Sequence, residues 1–239
     1  MTLDFDRFEA VTFDCYGTLI DWERGIVAAA RALLGAHGDG ADDATILEAF
    51  ARHERPLEHG PYQPYRSILA QVARAIAAEH GLAVTDAQAD AFAGSVPEWP
   101  AFPDSPRALA RLATRYRLGV ITNCDDDLFA GSARRLGVRF DELVTAQQVG
   151  SYKPAPRNFE VMLQRLGLPR ERVLHVAQSL FHDHVPAKAL GFTTVWVDRR
   201  QGRSGSGATP AAQANPDLVL PDLASLAALA VGTSGAATG

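Results

Sequence analysis

An aspartate directly after a short apolar run is the first feature of this sequence that suggests chemistry. Asp14 lies in the stretch FDCYGTL, residues 13–19. Gly17 allows the chain to turn tightly behind it, and Thr18 offers a hydroxyl to the carboxylate. A carboxylate held in this way is suited to act as a nucleophile that forms a covalent ester. The same residues also fit an ordinary turn capped by Asp14, and this stretch alone does not separate the two alternatives.

Three further segments carry polar groups that would complement an aspartate nucleophile. Lys153 in SYKPAP would keep a neighbouring carboxylate ionised and would attract an anionic substrate. Thr122 and Asn123 offer a hydroxyl and an amide, and the segment AQSLFHD contributes Ser179 and Asp183. Each residue taken alone also fits a surface, turn or helix-start role. Their order along the chain, at predicted strand ends, favours one shared site.

Apolar runs and helical patterns must position these polar groups. Buried strands are predicted at residues 10–13, 118–122, 172–177, 193–197 and 217–220. Helical patterns lie between them at 104–115, 125–136, 156–166 and 183–190. This alternation predicts an α/β fold, with a parallel sheet covered by helices on both faces. Ligands of such sheets bind beyond the carboxyl ends of the strands, so these segments should converge on one cleft.

Residues 21–98 interrupt the alternation with helical patterns and no convincing strand. The patterns cover 26–36, 44–54, 64–80 and 86–94, with a proline-bearing loop at 58–65. We predict a helical cap domain that is inserted after the first strand and covers the cleft. The core domain would then comprise residues 1–20 and 99–231. The segment 201–216 is typical of a mobile surface loop, and 232–239 of a disordered tail.

Composition excludes some classes of partner. The 239 residues carry a formal net charge of −5, which argues against general attraction to nucleic acid. No stretch approaches the roughly 20 apolar residues of a membrane span, and the N-terminus lacks a basic segment followed by an apolar one. We therefore expect a cytoplasmic protein with no membrane association. Cys15 and Cys124 are expected to be thiols, and the histidine spacing predicts no metal site.

The residues that suggest chemistry also carry a family resemblance. The order F-D-x-Y-G-T-L, I-T-N, Y-K-P and a small-residue strand end with an aspartate resembles the haloacid dehalogenase superfamily over nearly the whole chain. The resemblance implies a Rossmann-like core with a helical cap. In the phosphatase branch of the family, a second carboxylate stands two residues after the first, and an acidic residue of the last motif helps hold magnesium. Here Tyr16 and Gln178 occupy those positions, and Tyr16 resembles the metal-independent type II L-2-haloacid dehalogenases.

This resemblance implies a hydrolase that cleaves the carbon–halogen bond of small (S)-2-haloacids without a metal or other cofactor. Asp14 would attack the halogen-bearing carbon, and water would hydrolyse the aspartyl ester to release the inverted 2-hydroxy acid. Lys153 and Thr18 would hold Asp14, and Asp183 would position or deprotonate the water. The residues assigned to substrate binding are Cys15, Tyr16, Thr122, Asn123, Arg52 and Ser179. The implied partner is a small halogenated carboxylic acid, and the family suggests a homodimer.

Several positions depart from the family pattern and leave alternatives open. Phe159 stands where the dehalogenases have a tyrosine, six residues after the lysine. The spacing to Asp183 is one residue longer, so His182 could take its place. Arg52 has Arg55 and Arg66 as rivals for the cap arginine that contacts the substrate. A hydrolase of another small carboxylate, a phosphatase, or a non-catalytic relative that binds a small acid or a partner protein are the alternatives.

Overall fold

The core of the protein is a parallel sheet, seen in a computed structural model that describes residues 3–38, 40–201, 208–209 and 211–232. The strands are β1 Ala10–Phe13, β2 Arg117–Thr122, β3 Glu142–Thr145, β4 Val173–Ala177, β5 Thr193–Val197 and β6 Leu218–Leu220. They pair in parallel in the order β3-β2-β1-β4-β5-β6. The α/β fold predicted from the alternating pattern is therefore confirmed. Because β1 is flanked by β2 and β4, the segments that follow these three strands meet at one edge of the sheet.

The helical insertion lies between β1 and the second strand. Its helices are α1 Trp22–Leu34, α2 Asp43–Glu58, α3 Tyr65–Glu79 and α4 Asp86–Ala93. The side chain of Asp21 caps α1, and Thr85 and Gln88 form a capping box at α4. The helices pack on one another around buried apolar side chains, which include Ile46, Phe50, Ile68 and Ile76. The predicted helical cap is thus present.

Helices of the core cover both faces of the sheet. They are α5 Ser105–Leu112, α6 Asp126–Leu136, α7 Ala146–Val149, α8 Arg157–Leu166, α9 Val185–Ala189 and α10 Leu223–Val231. Alternate residues of β1 show the two faces: Val11 and Phe13 join the large apolar cluster, while Ala10 joins a second cluster with Phe159 and Phe192. In the described part of the chain, no helix is long and apolar enough to span a bilayer.

Three details differ from the sequence prediction. Strand β3 was not predicted, because it is a short edge strand whose first two residues are only half buried. The predicted helix at 183–190 begins instead with a π-helical turn, Leu180–His184, before α9. The predicted mobile loop at 201–216 has Ala208 and Thr209 buried, although 202–207 and 210 lie outside the described residues. Of the predicted tail, only Gly232 is described.

Candidate active site

The carboxylate of Asp14 is held by a turn built from its own neighbours. Its backbone N–H donates to the carbonyl of Val176 on β4 at 3.1 Å, which ties the end of β1 to the adjacent strand. Gly17 has a φ of 95°, a conformation that glycine adopts without strain. The hydroxyl of Thr18 donates to Asp14 Oδ2 at 2.6 Å and accepts from the N–H of Gln178 at 2.9 Å. Thr18 therefore fixes one carboxylate oxygen of a side chain that is almost entirely buried.

Lys153 joins two carboxylates that are far apart in sequence. Its Nζ donates to Asp14 Oδ1 and to Asp183 Oδ1, each at 2.8 Å, and to the carbonyl of Ile121 at 3.0 Å. These three bonds use all three donors of the ammonium group. The amide of Asn123 holds the lysine segment, because its oxygen accepts from the Lys153 N–H at 2.7 Å and its nitrogen donates to the Lys153 carbonyl at 3.1 Å.

Asp183 lies fully buried at the base of the same cluster. His175 Nε2 lies 3.1 Å from Asp183 Oδ1, and its Nδ1 lies 3.0 Å from the hydroxyl of Thr12. The other carboxylate oxygen, Oδ2, has no hydrogen-bond partner among the described residues. In the π turn, the N–H groups of Asp183 and His184 both donate to the carbonyl of Ser179 at 3.3 Å. This wide turn absorbs the extra residue noted in the sequence, so that Asp183, rather than His182, reaches Lys153.

The charges of this cluster are strongly coupled. Burial raises the pKa of Asp14, and the adjacent Lys153 opposes that effect. Burial also acts to raise the pKa of Asp183, but Lys153 and the hydrogen bond from His175 outweigh it, so the pKa lies well below its ordinary value. The two carboxylates in turn raise the pKa of Lys153, against the effect of burial. Lys153 is therefore a permanent cation shared by the two aspartates.

A small cavity opens onto Asp14 and Lys153 between the core and the cap. Its lining includes the predicted residues Tyr16, Asn123, Ser179 and Asp183, together with the aromatic side chains Trp22 and Tyr65. The hydroxyl of Tyr16 lies 3.0 Å from Ser132 Oγ and accepts from the thiol of Cys124 at 3.4 Å. Ser179 Oγ accepts from the N–H of His182 at 2.9 Å. Tyr16 and Ser179 are thus anchored by the protein while they face the cavity.

Two residues assigned to substrate binding lie outside the lining of this cavity. The side chain of Cys15 is buried in the apolar core, and burial raises the pKa of its thiol well above the ordinary value. Its carbonyl accepts from the N–H groups of Leu19 and Ile20 at 2.8 and 3.0 Å, which shapes the turn. Thr122 is buried at the end of β2, and its hydroxyl has no partner among the described residues. For these two side chains, contact with substrate is not supported.

The structure does not place Arg52 in the lining of the small cavity at Asp14. Its guanidinium binds Glu79 on α3 at 2.8 Å, and the residue lines a second, larger cavity at the domain boundary. Arg66 is paired with Asp127 at 2.6 Å, and Arg55 lies over the ring of Phe181. None of the three arginines lines the cavity at Asp14. Helical periodicity places these arginines on cap helices but does not determine which faces of α2 and α3 meet the core.

Sequence reasoning missed two carboxyl groups that do line the cavity. Glu54 and Glu58 extend from α2 toward Asp14, and the hydroxyl of Tyr65 donates to Glu54 at 2.5 Å. Glu58 lies 3.5 Å from the amide nitrogen of Asn123. The available signal was the spacing of four residues from Phe50 to Glu54 and from Glu54 to Glu58, which continues the apolar stripe of α2.

The side chains around Asp14 do not form a donor set for the magnesium ion that the resemblance implies for phosphatases. Asp14 and Asp183 share the ammonium of Lys153, which already places a cation between them. Position 178 carries an amide, whose oxygen accepts from Thr209 at 3.4 Å. Among the described residues, no group of three histidine, cysteine, aspartate or glutamate side chains is arranged to hold a metal ion. The residues present do not fit the ion.

Comparison with known proteins agrees with this geometry. A family model described as haloacid dehalogenase-like hydrolase matches residues 8–190. The chain belongs to this family. The crystal structure of an L-2-haloacid dehalogenase superposes with a TM-score of 0.77 at 28% identity, covering 92% of this chain and 97% of that chain. A second such enzyme, from Xanthobacter autotrophicus, has a TM-score of 0.80 at 21% identity over 95% and 100% of the two chains, which shows the shared fold.

Curated relatives of this haloacid dehalogenase-like hydrolase cover most of its length. The (S)-2-haloacid dehalogenase of Pseudomonas putida is 25% identical over 209 residues, which span 82% of this chain and 87% of the relative. A shorter match, 36% identical over 100 residues, is to the glyceraldehyde 3-phosphate phosphatase of Methanothermobacter thermautotrophicus and covers 41% and 44% of the two chains. The family contains relatives named for both chemistries, so the residues of the site must separate them.

Proposed function

We propose that the protein is a metal-independent hydrolytic dehalogenase that acts on small (S)-2-haloacids through an ester of Asp14. The observation that carries the proposal is the way the Asp14 carboxylate is held. Thr18 binds one oxygen and Lys153 the other, while Tyr16 stands in place of the second carboxylate of a phosphatase. The names of the full-length relatives point to the same chemistry.

The reaction would proceed in two steps. A carboxylate oxygen of Asp14 forms a bond to the halogen-bearing carbon as the halide leaves with the bonding electrons, so the carbon is inverted. Water then adds to the carbonyl carbon of the ester and releases the 2-hydroxy acid and the Asp14 carboxylate. The free oxygen of Asp183 is placed to accept the proton of that water, since it is buried beside Lys153 and has no described partner.

The test is halide release from each enantiomer of 2-chloropropionate in the presence of a chelator. We expect the native protein to release chloride from the (S)-acid, and Asp14→Asn to lose turnover by at least about 10³-fold because the amide is not a nucleophile. Asp86→Asn is the matched control, because that carboxylate is exposed at the start of α4. An Asp14→Asn variant with native activity would refute the ester mechanism.

Phosphate-ester hydrolysis is the second candidate, and the partial match to a phosphatase favours testing it. Phosphate release would be measured over a panel of small phosphate esters with and without magnesium. The poor fit of the donor set predicts no magnesium-dependent turnover. Magnesium-dependent phosphate release without halide release would replace the proposed function with this one.

A further inference from the structure

The cap contributes acidic groups to both cavities at the domain boundary. A larger cavity of about 430 Å³ adjoins the small cavity at Asp14. Four side chains line both cavities and therefore form the wall between them: Glu54, Glu58, His182 and Thr209. The carboxyl groups of this wall are almost entirely buried, with 6% of Glu54 and 8% of the Glu58 side chain exposed. A molecule that passes from the larger cavity to Asp14 must contact them.

Once Glu54 and Glu58 are ionised, the charges at this wall are unfavourable for a substrate that is only an anion. The inner cavity is lined by four carboxyl groups, those of Asp14, Asp183, Glu54 and Glu58. Lys153 is the cation among its described lining residues, and its three donors are already engaged. His182 adds no charge, because burial lowers its pKa to about 4. Arg52 and Arg55 line the larger cavity but not the inner one, so a carboxylate at the cap side of the inner cavity would meet carboxyl groups and no further cation.

A positively charged nitrogen would meet complementary groups at the same place. Glu54 and Glu58 are one helical turn apart on α2, so both can face one ligand atom. The aromatic residues Tyr16, Trp22 and Tyr65 line the cavity beside them. Carboxylates combined with aromatic side chains are a common environment for an ammonium group, since a cation is attracted by both. Burial raises the pKa of Glu54 to about 7, and it also raises the pKa of Glu58, as does the adjacent Glu54.

We propose that Glu54 and Glu58 form a subsite for a positively charged nitrogen, and that the preferred substrate of Asp14 is a small molecule that carries an ammonium group on the end away from the reacting carbon. The binding part of this proposal is independent of the reaction. The substrate part rests on the proposed function and narrows it to haloacids with an amino substituent. The contacts of Glu54 with Tyr65 and of Glu58 with Asn123 hold the two carboxyl groups in position for this role.

The binding test uses three non-reacting probes of similar size: propylammonium, propionate and β-alanine. Affinities would be measured by calorimetry with the native protein and with Glu54→Gln, Glu58→Gln and the double variant. We expect the native protein to bind propylammonium and β-alanine more tightly than propionate. The double variant should lose at least about tenfold in affinity for both ammonium probes. Glu160→Gln, which removes an exposed charge from α8, is the control and should bind like the native protein.

A measurement on the native protein alone avoids any folding defect of the variants. An ammonium group binds the ionised glutamates, so its affinity should rise between pH 6 and pH 8 as Glu54 loses its proton. The charged or titratable groups that line the two cavities with this pair come from α3, the core and α2 itself: Tyr65; Asp14, Tyr16, Lys153, His182 and Asp183; and Glu48, Arg52 and Arg55. Tyr65 does not titrate in this range, because burial raises its pKa. Affinity that falls over this pH range, or tighter binding of propionate than of propylammonium, would overturn the proposal.

Measuring chloride release distinguishes the ammonium subsite from the proposed dehalogenase activity. Chloride release would be compared for 2-chloropropionate and for 3-amino-2-chloropropionate, which differ by the ammonium group. A preference for the amino acid that is lost in the double variant supports both proposals. Turnover of 2-chloropropionate with no ammonium preference would refute the subsite and keep the dehalogenase. Ammonium binding that depends on Glu54 and Glu58, without halide release from either acid, would keep the subsite and refute the dehalogenase.

Discussion

At the scale of single residues, Lys153 determines how the site is charged. Lys153 is 2% exposed, and its ammonium group lies between Asp14 and Asp183. Among the described residues, it is the lysine or arginine that pairs with these two carboxylates. Breaking a buried ion pair on one side leaves an uncompensated charge, which is costly. The same cation favours the ionised form of the Asp14 carboxylate. The ammonium group of Lys153 therefore contributes both to the stability of the fold and to the expected reactivity of Asp14.

We predict that Lys153→Met lowers both the free energy of unfolding and the rate of halide release. The loss of stability should be about 3–5 kcal/mol, measured by urea denaturation, because two buried carboxylates lose their shared partner. Lys188→Met is the matched control, since the Lys188–Asp217 pair at 2.6 Å is partly exposed and should contribute at most about 1 kcal/mol. Equal losses in the two variants would contradict this interpretation of Lys153.

The pH dependence of the same reaction reports on Asp14. Burial raises the pKa of Asp14 above 3.8, and only the ionised form attacks carbon. The rate of halide release should therefore fall as the pH is lowered through a value above 3.8, and this acid limb should move to higher pH in Lys153→Met. A pH–rate profile measured with a substrate that is fully ionised throughout checks this, and an acid limb below 3.8 would contradict it.

At the scale of elements, close packing determines how the cap rejoins the core. The segment Val96–Glu98 and the following Trp99 lie between α1 of the cap and α6 of the core. A Cβ atom added at Gly25 would lie 2.2 Å from the Trp99 ring, and one added at Gly131 would lie 2.3 Å from Pro97 Cβ. These two glycines are required for close approach of the segments.

We predict that Gly25→Ala and Gly131→Ala each destabilise the protein. The added methyl group forces the Trp99 or Pro97 segment to move, which costs about 1–3 kcal/mol for overpacking. Urea denaturation measures this loss. Gly60→Ala is the control, because its nearest contact would be an ordinary 3.5 Å and its stability should change by less than about 0.5 kcal/mol. Native stability in both variants would show that the segment repacks freely.

At the scale of the whole molecule, Asp125 links the core to the cap. Its carboxylate accepts from the N–H groups of Tyr65 and Arg66 at 3.0 and 2.9 Å, at the first turn of α3. Asp125 is the N-cap residue of α6, but its side chain makes no cap hydrogen bond to that helix. The Asp125 side chain instead caps a helix of the other domain, because Pro64 at the N-cap of α3 provides no side-chain acceptor.

We predict that Asp125→Ala loosens the cap without unfolding the core. The loss of the interdomain cap should cost about 1–2 kcal/mol and speed hydrogen exchange at Tyr65 and Arg66. Amides of β1 and β4 should keep their native exchange rates, which serves as the internal control. Thr85→Ala, which removes a cap within the insertion, should affect α4 rather than the boundary. Uniformly faster exchange across both domains would contradict a local role.

The homodimer and the domain boundaries at 20 and 99 stay predictions. Sedimentation would test the homodimer, and domain-boundary deletions would test the boundaries.

The local pattern of the sequence was enough to predict which core residues meet in the candidate site. Each of the three charged residues, Asp14, Lys153 and Asp183, follows an apolar run or precedes a helix of the predicted parallel sheet. The structure places both carboxylates within hydrogen-bonding distance of Lys153 Nζ. This was predictable because strand ends in a parallel sheet share one edge regardless of sequence separation. The order of these residues along the chain also indicates the family, which the family model confirms.

The cap half of the site depends on how two domains dock, which no local pattern contains. Glu54 and Glu58 line the cavity at Asp14 while Arg52 pairs with Glu79, because packing of Ile46 and Phe50 in the cap core sets the rotation of α2. Thr209 reaches the cavity from a segment whose composition suggested only a surface loop. The positions of charged residues along a helix do not determine which of its faces meets the other domain. Which of them enter the site therefore follows from tertiary packing.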